Sequence, residues 1–392
     1  MKHDFNKMVD RRGSNCLKYD FTAERGRKED VLPLWIADMD FQTAPCVIKR
    51  LSEVAAHGIY GYSEGKADYF QAVADWYQSH FQWQVERRWL VKTPGIVFSL
   101  AAAIRAYTRE GESVLLQQPV YYPFSEVIQD NNRKLINNPL KLVNGRYEID
   151  FEDFEAKIIR HEVKLFLFCT PHNPVGRVWQ EWELRKIGDI CLKHQVFIVS
   201  DEIHSDFTYD GHKHLMLASL SPKYADITVT CTSPSKTFNL AGLQISNNFI
   251  SNSDLRRRFR SAVAAAGYSQ PNLMGLAACQ AAYEEGDEWL IQLKEYLAGN
   301  MNFVKKFLEE YIPEITLIEP EGTYLLWLDF RALNMTEKER EDLVHDQAGL
   351  WLDSGAMFGE DGMGFERINI ASPRSVIQQA LDQLKEAVAK IS

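Results

Sequence analysis

The sequence predicts an α/β fold: a large domain with a mostly parallel sheet sandwiched by helices, plus a smaller α+β domain. Two observations carry most of this. First, apolar runs at 113–117, 164–169, 196–200 and 227–231 punctuate the middle of the chain. Second, amphipathic stretches separate them. Between the second and third runs, Leu184, Ile187, Ile190, Cys191 and His194 recur at helical spacing. Strands without polar alternation are buried on both faces, the pattern of a parallel sheet covered twice by helices. The length of 392 residues is also more than one core comfortably holds.

The elements follow in chain order. Residues 1–48 lack a periodic core of their own and are expected to pack with the smaller domain. Residues 49–288 hold the strand–helix alternation. Early in this stretch Thr93-Pro94-Gly95 leads into the alanine-rich helix Ile96–Ile104. Proline and glycine ahead of a helix leave free N–H groups at the positive end of its dipole. That makes an anion site or simply a turn with a helix start. Residues 289–392 mix long helical patterns with short strands such as 324–329, and an amphipathic helix closes the chain.

In such a sheet, ligands bind beyond the carboxyl ends of the strands. The polar residues after each run are therefore the ones to read. Gln118-Pro119-Val120-Tyr121-Tyr122 follows the first, and Thr170-Pro171-His172-Asn173-Pro174-Val175-Gly176 the second. Asp201-Glu202-Ile203-His204 follows the third, and Ser233-Pro234-Ser235-Lys236-Thr237-Phe238 the fourth. A lysine at the mouth of a buried strand, with hydroxyls one and three residues before it, suits a Schiff-base lysine beside a phosphate. Taken alone it is also an ordinary loop lysine. Four polar clusters on one sheet edge weigh more than any one of them.

Composition narrows the rest. Apolar residues make 45% and charged residues 25%, ordinary for a globular protein. A formal charge of −10 argues against nucleic acid as a partner. The basic run Arg256-Arg257-Arg258 with Arg260 is best read as a solvated helix face. No signal-peptide pattern and no membrane-length apolar run is visible. The six cysteines are scattered without a CxxC pair, so neither a disulfide framework nor a metal site is expected, and a cytoplasmic location is.

These clusters, in this order, resemble the fold-type I enzymes that use pyridoxal 5′-phosphate, the aspartate aminotransferase superfamily. Residues 34–41, 57–63, 200–204 and 235–243 further resemble the MalY/PatB-type cystathionine β-lyases. The resemblance implies roles. Lys236 is the cofactor lysine and takes the substrate Cα proton. Asp201 faces the ring nitrogen, which must stay protonated. Asn173 donates to the ring hydroxyl, with His204 nearby or else a structural histidine on a helix after Asp201. Tyr121, rather than its neighbour Tyr122, stacks on the ring. Ile96 and Val97 N–H groups hold the phosphate with Ser233 and Ser235. Many relatives place an arginine eight residues after the lysine, where this chain has Gln244. Tyr62 matches a tyrosine that reaches the phosphate from a neighbouring subunit, which implies a homodimer with its active site at the interface. Arg374 is expected to take the substrate α-carboxylate as a bidentate partner. The side-chain pocket is expected from Trp35, Ile36, Ala37 and residues near Tyr121.

The implied reaction is α,β-elimination from L-cystathionine and related L-cysteine S-conjugates, a step in amino-acid metabolism giving a thiol, pyruvate and ammonia. The same lysine serves an aminotransferase, and one branch of the family also regulates through its surface. Those readings stay open at the level of sequence.

Overall fold

A computed structural model of the chain describes residues 3–391. Its centre is a seven-stranded sheet. In sheet order the strands are Leu90–Thr93, Ser246–Phe249, Thr228–Thr232, Phe197–Asp201, Leu165–Cys169, Ser113–Leu116 and Lys134–Asn137. All neighbours run parallel except Ser246–Phe249, which is antiparallel to both strands beside it. The apolar runs therefore stand as strands within a residue or so of their expected limits.

Alternate residues along these strands enter opposite cores, as the pleat requires. Val114, Leu116, Leu167, Cys169, Val199 and Cys231 face one side and pack with the helices Ile96–Tyr107, Pro123–Asp130 and Ser253–Ala265. Leu115, Phe166, Phe168 and Ile198 face the other, against Phe151–Arg160 and Glu181–His194. The helix Glu181–His194 begins with a reciprocal cap. Glu183 carries it further: its carboxylate also pairs with the buried Arg177, which in turn meets Glu321.

A second, four-stranded antiparallel sheet has the order Thr316–Ile318, Leu325–Asp329, Phe365–Asn369 and Asp353–Ser354. The helices Asp287–Tyr311 and Arg374–Val388 pack beside it. The N-terminal segment joins this half through a two-residue parallel pairing of Leu32–Pro33 with Leu350–Trp351. It also feeds Phe5, Leu34, Met39 and Phe41 into a core shared with the helices Pro45–His57, Ala67–Phe81 and Leu273–Glu285.

That segment is fastened by charge as well. Lys18 is fully buried, 2.7 Å from Asp40, and Arg11 reaches both Asp38 (2.6 Å) and Asp40 (2.8 Å). Burial raises the Asp40 pKa, but Lys18, Ser372 and Arg11 more than offset this and hold it below the usual carboxylate range. The result is a strap, residues 11–41, lying against the carboxyl edge of the large sheet. Asn239 grips it by accepting from the Met39 N–H (3.0 Å) and donating to the Met39 and Phe41 carbonyls.

Candidate active site

The carboxyl ends of the large sheet open into a cavity of about 170 Å³. Its lining draws on every predicted cluster: Ile96 and Val97, Tyr121, Asn173, Asp201 with His204, and Ser233 with Ser235 and Lys236. Ala37 closes it from the strap. Cavity walls of this kind follow from topology. The parallel strands all end at the same edge, so the residues after them meet there.

Lys236 stands in the short helix Pro234–Thr237, directly after the strand Thr228–Thr232. Ser233 caps that helix by accepting from the Ser235 N–H, and it donates to the Ile245 carbonyl. The Lys236 ammonium donates to the Ala37 carbonyl at 2.6 Å. Burial lowers its pKa to about 8, with Arg367 adding to the effect and Asp38 and Asp201 opposing it.

Asp201 ends its strand with one recorded donor, the Ile203 N–H at 3.1 Å on Oδ1. Burial pushes its pKa up to about 7. His204 follows in a turn rather than on the expected helix. Its ring meets Tyr324 edge-on at 5.8 Å, its Nδ1 has no partner, and burial keeps its pKa well below the ordinary value, so the ring stays neutral. Asn173 offers its carbonyl oxygen to Arg367 at 3.0 Å, and its backbone oxygen accepts from the Tyr121 N–H. At the opposite end, the helix Ile96–Tyr107 starts at Gly95 with no side chain capping it. Its first N–H groups open on the cavity beside Ser233 and Ser235.

These features are unfinished on their own. A buried carboxylate with a single donor, an uncapped helix start, an orphaned His204 Nδ1 and an amine share one enclosure. Pyridoxal 5′-phosphate carries a ring N–H to suit the carboxylate, an anionic phosphate to suit the helix start and an aldehyde to suit the amine. The donor set fits the cofactor.

Of the expected pocket residues Trp35, Ile36 and Ala37, only Ala37 lines the cavity, and Arg374 and Tyr62 stand elsewhere too. Arg374 is outside the cavity. It opens the last helix, its Nε donates to Asn300 Oδ1 at 2.7 Å, and its guanidinium lies 4.7 Å from the centre of the Phe303 ring. Helix packing, not a ligand, accounts for a cation at this helix start. Tyr62 is 96% exposed on the loop after Gly58 and does not line the cavity of its own chain. It borders an open depression of about 840 Å³ just outside, which shares Pro94 and Gln244 with the cavity.

Arg367 is the residue that sequence reading passed over. It is buried in the strand Phe365–Asn369. Besides Asn173 it donates to the Trp35 carbonyl at 2.8 Å and pairs with Asp353, while its Nε has no partner. The signal was available: an arginine inside an apolar strand is costly to bury without a partner or a ligand.

The profile of the "Aminotransferase class I and II" family matches residues 29–384. Cystathionine β-lyase PatB of Bacillus subtilis is 39% identical, with 98% of this chain and all of that protein aligned. Protein MalY of Escherichia coli is 33% identical over 99% of each chain. Cystalysin from Treponema denticola, whose crystal structure contains pyridoxal 5′-phosphate, superposes with a TM-score of 0.97 at 38% identity, all of both chains being covered. The chain belongs to the class I and II aminotransferase family, in the PatB/MalY branch of pyridoxal-phosphate-dependent carbon–sulfur lyases.

Proposed function

We propose that the protein cleaves the Cβ–S bond of L-cystathionine and related L-cysteine S-conjugates, giving a thiol, pyruvate and ammonia. The observation that carries this is full-length identity of 39% to a cystathionine β-lyase, with Lys236, Asp201 and Asn173 gathered in one cavity.

Each residue has a task in this reading. Lys236 would hold the cofactor through its amine and, with that amine free, would take the substrate Cα proton. A pKa near 8 leaves part of the amine neutral at physiological pH, as a base must be. The cofactor, when bound, accepts the electron pair left on Cα. Asp201 would pair with the ring N–H, which favours its ionised form, and so would keep the ring protonated. Tyr121 would cover the ring face, Asn173 and His204 would adjoin the ring hydroxyl, and Ile96, Val97, Ser233 and Ser235 would hold the phosphate. With Gln244 at the usual arginine position, the helix dipole carries more of that charge.

Arg367, not Arg374, is assigned to the substrate α-carboxylate. Its unpartnered Nε and its bond to Asn173 support this. Bidentate binding would fix the Cα–H bond against the ring. Loss of the thiol from Cβ then leaves a three-carbon fragment that hydrolyses to pyruvate and ammonia.

The open depression bordered by Tyr62 is the expected seat of a second copy, whose own Tyr62 would reach the phosphate end. Exposed Ile59 and Tyr60 on the same loop support a homodimer. All six cysteines are free, which suits the reducing cytoplasm.

The test is direct. Purified protein, given L-cystathionine and no 2-oxo acid, should release pyruvate and free thiol in equal amounts. Amino transfer to an added 2-oxo acid without thiol release would instead make it an aminotransferase.

A further inference from the structure

The charges at the mouth of the cavity are not all used by the reaction. Four charged residues act electrostatically on Tyr122, whose ring centre is 5.1 Å from that of Tyr121. Burial raises the Tyr122 hydroxyl pKa, with Asp353 and Glu126 adding to the effect and Arg367 and Arg25 opposing it. Asp353 and Arg367 are both buried and form an ion pair with each other. Arg25 and Glu126 are exposed, and among the described residues neither has an ion-pair partner. That leaves one free cation, on the ring of Trp35, and one free anion, in the helix that follows Tyr122.

Arg25 is placed rather than loose. Its guanidinium carbon lies 5.2 Å from the centre of the Trp35 ring. Trp35 is itself fixed on both sides: its ring stacks on Trp351 at 4.5 Å and 12°, and its carbonyl accepts from Arg367. The same tryptophan therefore holds the inner arginine through its backbone and seats the outer one on its ring. Cation–π contact holds a guanidinium flat without consuming its N–H donors. Glu126 lies one helical turn beyond Tyr122, its N–H bonded to the Tyr122 carbonyl.

We propose that Arg25 receives the distal carboxylate of a substrate that bears an amino-acid group on both sides of sulfur. The site then favours such thioethers over S-alkylcysteines. This rests on the lyase reading above. With the α-carboxylate on Arg367 and Cα over Lys236, the sulfur substituent runs out past Tyr121 and Tyr122 toward the rim. A second amino-acid end there carries one negative and one positive group. Arg25 and Glu126 present the complementary pair. An alkyl substituent meets neither.

The experiment compares L-cystathionine with S-methyl-L-cysteine in the holoenzyme. Arg25→Ala should lower kcat/KM for L-cystathionine about five- to tenfold, mostly through KM, and leave S-methyl-L-cysteine unchanged. Arg25→Lys should restore most of the loss. Added salt should erode the wild-type preference, because the contact is exposed. Equal losses for both substrates, or none for L-cystathionine, overturn the assignment of Arg25 alone. Wild-type protein that releases pyruvate from neither substrate overturns the lyase reading and this one with it.

Discussion

The floor of the cavity and its outer wall are built over different ranges of sequence. On the floor, Asn173, Asp201 and Lys236 each stand at or within four residues of the end of a strand of one sheet. The wall joins Trp35 to Arg367, 332 positions apart, and Lys18 to Asp40 beneath them. Floor residues are placed by a local rule repeated at each strand. Wall residues are placed by the meeting of a strap, a small sheet and a buried charge cluster, none of which specifies the site alone. The difference teaches where to expect fragility: a floor mutation should remove chemistry and leave the fold, whereas a wall mutation should disturb both.

The largest effect should come from the floor. Lys236→Ala is expected to lower turnover by about four orders of magnitude. It should also abolish borohydride-trapped attachment of the cofactor, while circular dichroism stays unchanged. Retained trapping would remove Lys236 from its assigned place.

Next comes the foundation of the wall. Lys18→Met leaves Asp40 buried and short of a partner, which should cost about 3–5 kcal/mol in urea unfolding. The first 40 residues should become open to protease. A loss confined to activity, with the strap still protected, would break the contrast drawn above.

The two arginines sharpen it. Arg367→Ala should raise KM for the amino-acid substrate about 10- to 100-fold, the value of a charge-assisted contact. Arg374→Ala should leave KM within about twofold and cost no more than about 1 kcal/mol of stability. The reverse ranking would return the carboxylate to Arg374.

The smallest effect is a matter of sign. Asp201 has a folded pKa of about 7, above its unfolded value of 3.8. The folded apoprotein therefore binds more protons than the unfolded chain between these limits, and this group's contribution falls as pH rises through that window. Asp201→Asn should make the apoprotein more stable than wild type above pH 7, by about 1–2 kcal/mol, with the gap closing toward pH 4. The same variant should bind pyridoxal phosphate more weakly. Thermal unfolding of both apoproteins at pH 4.5 and 8 reads it out.

Legibility followed the same division. That Asn173, Asp201 and Lys236 share one cavity was legible because strand-end position is written in the local pattern of apolar residues. Gly95 to Val97 were ambiguous as an anion site, since a proline–glycine turn opens many helices. It is the cavity at that end that distinguishes this one. Arg367 and Arg374 lie seven residues apart around a strand end and a helix start. The sequence expectation fell on Arg374, yet Asn300 and Phe303 from another helix account for that residue. Trp35 looked like pocket lining. Its structural part is to bridge Arg367 to Arg25, which no spacing within residues 25–41 could reveal.

The sequence by itself determined the sheet, the edge where the polar clusters gather, and the lysine and carboxylate that meet there. Periodicity and strand ends are local properties, and burial of alternate faces enforces them. The tertiary structure decided which arginine turns inward, how the N-terminal strap is fastened, and which charges remain free at the mouth. Those outcomes depend on contacts across hundreds of residues, where packing and desolvation select one partner from several of equal chemical merit.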